Sequence, residues 1–272
     1  MMITNLTPAL SSFAATAKKP VPMFYVSIGD SYAAGFEVGP GSPGGFATKV
    51  VAGVAPKYKL ILRNFGCGGA TTTSLMSSIG CAAALDSPGG MSYPHATQLA
   101  AALAFIHARH GRIGLITISI GGNDLGGSAD NVAPIAHNIS IIAARLRAAA
   151  GRSVPIIGLT YPDVDLANWL NGPGGIDIAE QSITAFQGTI NPEWKAAYAL
   201  SNVTFVDVTA AFGAYIPLSH VVTYSTYGAI PDAVDRICTL TGMCTNANLH
   251  PTNAGYSLIA QLIVHAYRKL AA

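Results

Sequence analysis

The feature that most constrains the fold is an alternation of short, continuously apolar segments with longer segments rich in Ala and Leu. The apolar segments are residues 23–28, 58–62, 112–120, 154–159 and 203–208, and each favours a buried strand. Helical segments fall between and after them, near residues 95–110, 131–150, 179–200 and 253–269. Short apolar strands that alternate with helices are typical of a parallel sheet covered on both faces. We therefore predict an α/β protein with a doubly wound parallel five-stranded sheet in three α/β/α layers.

Length and composition favour one domain. Half of the 272 residues are hydrophobic, which allows a large core. We assign residues 21–272 to a single domain, and residues 1–20 to a flexible N-terminal segment or the remnant of a leader or vector. The formal net charge is only +2 and 10% of residues are charged, so we expect no nucleic-acid partner. No apolar run reaches the roughly 18 residues that span a bilayer, so we expect no stable membrane insertion. The sequence leaves the oligomeric state open.

The four cysteines form two pairs that are close in sequence, Cys67 with Cys81 and Cys238 with Cys244. We predict two disulfides with this pairing, although four cysteines allow three pairings. Buried free thiols are one alternative, and a zinc site made by Cys238, Cys244 and His250 is another. Disulfides would place the protein in an oxidising compartment, so we expect it to be secreted or periplasmic. Residues 1–20 lack the basic start of a signal peptide.

Polar and glycine-rich segments follow three of the predicted strands, and one histidine precedes the last predicted helix. In doubly wound folds, ligands bind outside the carboxyl ends of the strands. The segments after the first, second and third strands read GDSY at 29–32, NFGCGGATT at 64–72 and GGND at 121–124. His250 stands just before the last helix, with Thr252 or Asn253 as its expected N-cap. These four segments are predicted to meet at one edge of the sheet.

Together, these residues supply what acyl transfer requires. A serine hydroxyl is a weak nucleophile unless a neighbouring base, usually His, takes its proton. The tetrahedral oxyanion also needs donors arranged in advance. Ser31 would be the nucleophile, and the Ser31 N–H, the Gly69 N–H and the Asn123 side-chain amide would be the donors. Among seven histidines, His250 is the expected base, and His220 is the strongest alternative.

The four segments resemble, in order, conserved blocks of the SGNH (GDSL-like) hydrolase family of esterases and lipases. GDSY is similar to the first block, with Tyr32 in place of the usual Leu. The resemblance implies a flavodoxin-like fold, ester or lipid substrates and hydrolysis without a metal or organic cofactor. It also implies Ser31 as nucleophile, His250 as base, and Gly69 and Asn123 as oxyanion donors. Asp30 and Asp124 would shape the turns around them.

One position departs from the family pattern. The last block usually reads D-x-x-H, whereas Ala247 stands three residues before His250. We predict that the main-chain carbonyl of Ala247 holds the histidine, which would make the site a Ser–His dyad. The side chains of Asn246 and Asn248 are alternatives. So are three carboxylates distant in sequence, namely Asp163, Asp232 and Asp235.

Several functions are compatible with this set of residues. A carboxylic ester hydrolase (an esterase or lipase) is the principal prediction. The same site could deacetylate carbohydrates, cleave lysophospholipids or transfer acyl groups to alcohols. A catalytically silent module that binds lipid or carbohydrate is the alternative outside enzymes. The Gly- and Pro-rich loop at 39–45 is a candidate lid, and residues 209–249 are predicted to form a long excursion from the sheet.

Overall fold

The computed structural model describes residues 21–36, 45–126, 131–223 and 225–271. Its central sheet has five strands: β1 (Met23–Gly29), β2 (Leu60–Asn64), β3 (Ile113–Ser119), β4 (Ile156–Leu159) and β5 (Thr204–Val206). All neighbouring strands are parallel, in the order β2-β1-β3-β4-β5. The predicted five-stranded parallel sheet is confirmed. The second strand begins two residues later than predicted, and the fifth is shorter.

Eleven α-helices lie in the described ranges. They are α1 (Ser31–Ala34), α2 (Gly45–Val54), α3 (Thr72–Ser77), α4 (Gln98–Ala108), α5 (Val132–Ala150), α6 (Pro173–Ala185), α7 (Asn191–Ala199), α8 (Val208–Ala211), α9 (Asp232–Leu240), α10 (Met243–Asn246) and α11 (Asn253–Leu270). Helix α2 packs against α11, while α5 packs against α4 and α7. With the sheet between them, these helices form the predicted α/β/α arrangement.

The interior follows the apolar pattern of the sequence. Strand β3 is buried along its whole length, as expected for a central strand covered on both faces. Helix α11 turns one apolar stripe inward, where Ile259 and Ile263 are fully buried. Thr252 caps this helix by accepting a hydrogen bond from the Gly255 N–H at 3.3 Å. Burial of one face therefore positions the last helix.

The strand order places the predicted site at one edge of the sheet. In the order 2-1-3-4-5, the topological switch point lies between β1 and β3. Ser31 follows β1 directly, and a 3-10 turn at Gly122–Asp124 follows β3. The first and third motifs therefore stand side by side where this fold class binds its ligands.

The region from 209 to 249 is folded rather than irregular. Besides α8, α9 and α10 it contains short antiparallel pairs, made by β6 (Val221–Val222) with β7 (Ile230–Pro231) and by β8 (Thr241–Gly242) with β9 (Asn248–Pro251). Helix α9 was not anticipated, because its segment is short and mixed in character. A 3-10 helix at Val164–Asn171 packs against α9, and a π-helical turn at Phe186–Ile190 joins α6 to α7.

Both predicted disulfides are present. The Cα atoms are 5.9 Å apart in Cys67–Cys81 and 5.0 Å apart in Cys238–Cys244. The second disulfide uses the two thiols that the zinc alternative required. Among the described residues, no three His, Cys, Asp or Glu side chains are grouped to hold a metal ion. In the same part of the chain, no helix has the length and apolarity to cross a membrane. Residues 1–20, positions 39–44 of the candidate lid and Ala272 lie outside the described residues.

Candidate active site

Ser31 begins α1, and Asp30 alone separates it from the end of β1. Gly29 makes this turn with φ +147°, and a Cβ on Gly29 would lie 1.9 Å from the Ser119 carbonyl oxygen. The Asp30 N–H donates to the same carbonyl at 3.0 Å, which fixes the turn to β3. The side chain of Gln98 bonds both the N–H and the C=O of Gly29, at 2.8 and 3.0 Å. The serine is therefore held by the sheet itself and is largely buried.

Asp30 directly precedes the serine and caps its helix. The carboxylate accepts the Tyr32 N–H at 3.0 Å and the Tyr161 hydroxyl at 2.5 Å. Burial raises the pKa of Asp30 to about 7, and the bond from Tyr161 opposes this rise. The sequence prediction gave Asp30 a role in shaping the turn, and these contacts support it. Tyr161 was not foreseen. It follows β4, so the strand-end rule applied to the fourth strand would have found it.

The loop after β2 carries Gly69. The Cys67 N–H donates to the Gly29 carbonyl at 3.0 Å, which ties the start of this loop to the end of β1. Gly69 itself has φ +73°, in the left-handed region that favours glycine. The Asn123 side-chain Nδ2 donates to the Ala70 carbonyl at 2.9 Å. Because Ala70 follows Gly69 in the chain, this bond links the two predicted oxyanion donors, Gly69 and Asn123.

Asp124 anchors the helix that follows the same loop. Its carboxylate accepts the Thr72 N–H, at 3.0 and 2.9 Å to its two oxygens, and the Thr72 hydroxyl at 2.5 Å. Asn138 on α5 donates to that hydroxyl at 2.9 Å. These contacts support the predicted turn-shaping role of Asp124. Thr72 ends the segment 64–72 that the sequence analysis named, whereas Asn138 lies outside the four segments and was not anticipated.

His250 lies on β9, and its partner differs from the predicted one. Its Nδ1 lies 2.7 Å from Asn248 Oδ1, which also accepts the His250 backbone N–H at 2.9 Å. The ring therefore contacts the side chain of Asn248, one of the predicted alternatives, rather than the Ala247 carbonyl of the principal prediction. Ala247 ends α10 in a left-handed conformation, with φ +54°. The chain turns at that point, and Asn248 then bonds the backbone two residues ahead, as Asn commonly does in turns.

Other side chains considered for the base or its partner are engaged elsewhere. His220 lies 3.8 Å from Asp232 Oδ2, and Arg236 also contacts Asp232. Asp163 is fully buried and accepts the Ser182 hydroxyl at 2.9 Å. Asn246 accepts the Thr245 hydroxyl at 3.4 Å.

The histidine ring is packed between aromatic side chains. Its centroid lies 6.0 Å from that of Tyr32 and 5.7 Å from that of Phe36. Burial lowers the pKa of His250 below its ordinary value. A lowered pKa keeps the imidazole neutral near pH 7, as a general base must be.

A cavity of about 190 Å³ opens beside Ser31 and Asn123. Its walls are mostly apolar or aromatic, with Tyr32, Leu125, Tyr161, Val164, Phe186 and Leu249 among them. Gly69 lies outside this cavity and is connected to it through Asn123 and Ala70. The cavity is therefore an apolar recess with a hydroxyl and an amide donor at its edge.

Comparisons with known proteins identify the family and support the fold. The sequence model of the GDSL-like lipase/acylhydrolase family matches residues 27–258. Among solved structures, the extracellular lipase of Streptomyces rimosus superposes with a TM-score of 0.51 at 18% identity, over 90% of this chain and 99% of the lipase. A Bacillus subtilis protein gives a TM-score of 0.55 at 14% identity, over 93% of this chain and 58% of its own.

A two-domain esterase active on acetylated mannans gives a TM-score of 0.53 at 12% identity, over 92% of this chain and 50% of the esterase. At such identities these structures support the fold alone. Comparison with curated protein sequences gives no significant match. The match to the family model spans most of the sequence and includes all four motifs, so the chain belongs to the GDSL-like lipase/acylhydrolase family of carboxylic ester hydrolases.

Proposed function

We propose that the protein hydrolyses carboxylic esters through an acyl-enzyme on Ser31, with His250 as general base and Asn248 as the group that orients it. His250 Nε2 takes the proton of the Ser31 hydroxyl, and Ser31 Oγ attacks the ester carbonyl carbon. The alcohol leaves with the proton from His250. Water, activated by the same base, then releases the carboxylic acid and restores Ser31.

The contact between Asn248 and His250 carries this proposal. The His250 backbone N–H can only donate, so the Asn248 atom that receives it must be the carbonyl Oδ1. The same Oδ1 contacts Nδ1 of the ring, so Nδ1 must carry the ring proton. Nε2 then keeps its lone pair and can act as the base. An uncharged amide fixes the tautomer, but it stabilises the imidazolium less than a carboxylate would.

The proposed oxyanion hole has three donors. They are the backbone N–H groups of Ser31 and Gly69 and the side-chain amide of Asn123. The amide carries two N–H donors, and the bond to Ala70 uses one of them. That bond orients the other, which we assign to the oxyanion. Donors fixed in advance contribute most to such catalysis, and the loss of one typically costs about 10²- to 10³-fold in turnover.

The cavity beside Ser31 supports esters of apolar acids as substrates. Its walls are mainly apolar, which suits a hydrocarbon chain better than a sugar ring. At about 190 Å³ it is smaller than the roughly 300–1,000 Å³ of pockets that enclose drug-sized ligands. We therefore propose short to medium acyl chains. This favours the esterase function over carbohydrate deacetylation, because Ser31, Asn123 and the carboxylates of Asp30 and Asp165 are the main polar groups of the lining.

The two disulfides support an extracellular or periplasmic site of action, because such bonds persist in oxidising compartments.

The test is the hydrolysis of p-nitrophenyl esters from acetate to palmitate by the wild type and by the Ser31→Ala variant. We expect the highest kcat/KM at short to medium chains, and a loss of at least about 10⁴-fold in the variant with an unchanged melting temperature. Near-normal rates in the variant would refute Ser31 as nucleophile. A profile that peaks at palmitate would refute the proposed chain length but not the mechanism.

A further inference from the structure

Tyr32 occupies the motif position where the family usually has Leu. Its side chain contacts groups near the nucleophile Ser31 and groups near the base His250. Its side chain is buried, with 3% exposure. Its ring centroid lies 5.0 Å from that of Tyr161 on the nucleophile side and 6.0 Å from that of His250 on the other. Its hydroxyl donates to the Leu249 main-chain carbonyl at 2.6 Å. Leucine could fill part of this space, but it could not make this bond.

The hydrogen bond from Tyr32 is made to the peptide group directly before His250. Leu249 lies between Asn248 and His250, so its carbonyl belongs to the peptide group that leads into the histidine. The Leu249 side chain is 44% exposed and gives this part of β9 little anchorage by burial. The hydrogen bond from Tyr32 is therefore a direct connection between the helix of the nucleophile and the strand of the base.

The bond from Asn248 cannot by itself fix the position of His250 relative to Ser31. It lies on the same strand as His250, so its bond sets the ring relative to β9. It does not set β9 relative to Ser31. Tyr32 is the residue next to Ser31, and its bond to Leu249 links β9 to the helix that carries Ser31.

We propose that Tyr32 is a positioning residue that holds the His250 strand at catalytic distance from Ser31, a role that rests on the function proposed above. A triad carboxylate is absent from its usual position in this chain. The orientation of the base is therefore divided between Asn248, which selects the tautomer, and Tyr32, which sets the location of the strand.

The test compares Tyr32→Phe with Tyr25→Phe. Tyr25 is a matched control, because its buried hydroxyl bonds Thr117 at 2.9 Å within the sheet and away from the motifs. We expect Tyr32→Phe to lower kcat by about tenfold while KM stays the same. Tyr25→Phe should leave both constants unchanged. Tyr32→Leu, which restores the usual family residue, should show the same loss as Tyr32→Phe.

The pH profile separates positioning from a general loss of packing. Burial lowers the pKa of His250, so a strand that moves outward lets water reach the ring and the pKa return toward its ordinary value. The acid limb of kcat/KM should therefore move to higher pH in Tyr32→Phe and Tyr32→Leu, but not in Tyr25→Phe. If both Tyr32 variants kept the kcat and acid limb of the wild type, the positioning role would be overturned. A loss that only tracks the fraction of unfolded protein would overturn it too. Activity in Ser31→Ala would instead refute the proposed function.

Discussion

The two halves of the site are built differently. On the nucleophile side, Ser31 stands on a turn whose backbone is bonded to the neighbouring strand and to the buried Gln98. On the base side, His250 lies on a two-stranded ribbon outside the main sheet, next to the exposed Leu249. Side-chain contacts from Asn248 and Tyr32 hold it there. The serine is thus fixed by the backbone of the central sheet, and the histidine by a few side-chain hydrogen bonds.

This difference predicts where mutations will act. Bonds on the nucleophile side are part of the core, so their loss should reduce the free energy of unfolding. Bonds on the base side orient one ring, so their loss should reduce turnover with little effect on stability. Substitutions at three positions, ranked by their expected effect on turnover, test this separation.

Asn248→Ala should have the largest effect. Without Oδ1 the ring loses the acceptor that selects its tautomer, and we expect kcat to fall by about 10²-fold with a nearly unchanged melting temperature. Steady-state kinetics and thermal melting measure the two effects. Asn246→Ala is the matched control and should be neutral. Equal activity in both variants would restore the Ala247 carbonyl as the partner of His250.

Asn248→Asp sharpens the same test. A carboxylate next to the ring stabilises the imidazolium and raises the pKa of His250. The acid limb of kcat/KM should therefore move to higher pH than in the wild type. An acid limb that stays in place would contradict the contact between residue 248 and the ring.

Tyr161→Phe should act mainly on stability. It removes the hydroxyl that bonds the buried Asp30 carboxylate, and we expect the free energy of unfolding to fall by about 2 kcal/mol at pH 9. The loss should be nearer about 1 kcal/mol at pH 5, where Asp30 is mostly protonated, since its pKa is about 7. We expect turnover to fall only severalfold. Urea unfolding at the two pH values measures the difference. A loss that is equal at both pH values would contradict an ionised Asp30 at high pH.

Asp163→Asn should leave turnover unchanged. Its effect on the pH dependence of stability is a reference for the buried carboxyl group of Asp30. Asp163 is fully buried, and its Oδ1 has no hydrogen-bond partner among the described residues. Burial raises the pKa of Asp163 to about 7. Between its ordinary pKa of 3.8 and about 7, the folded protein keeps a proton that the unfolded chain has released. The free energy of unfolding therefore falls as pH rises through this window.

The Asn variant lacks this titration. Relative to the wild type, it should gain roughly 2 kcal/mol of stability between pH 5 and pH 9. Urea unfolding of both proteins at the two pH values measures the gain. The same change in stability between the two pH values in both proteins would contradict the raised pKa of Asp163.

Much of the fold could be predicted because the apolar runs that indicate buried strands are short, continuous stretches of sequence. Each buried strand shows its pattern within a few residues, and strand-end topology then brings Ser31 and Asn123 to one edge of the sheet. Cysteine pairs close in sequence indicated both disulfides in the same way. Helix α9 was missed because its segment combines apolar and charged residues within nine positions.

The partner of the histidine could not be predicted in the same way. It depends on the left-handed conformation of Ala247, which sequence periodicity does not reveal. Asn248 was an alternative, but only the turn geometry brings its Oδ1 to the ring. The bond from Tyr32 to Leu249 joins residues 217 positions apart, so no local pattern indicates it.

The proposed function depends on Ser31 as the nucleophile and on its activation by His250. The most direct measurement is to label the protein with a p-nitrophenyl alkylphosphonate and map the adduct by peptide mass spectrometry. Wild type should carry one adduct on Ser31, and His250→Ala should acquire the same adduct at least about 10³-fold more slowly. An adduct on another serine would refute Ser31 as the nucleophile, and equal labelling rates in the two proteins would refute its activation by His250.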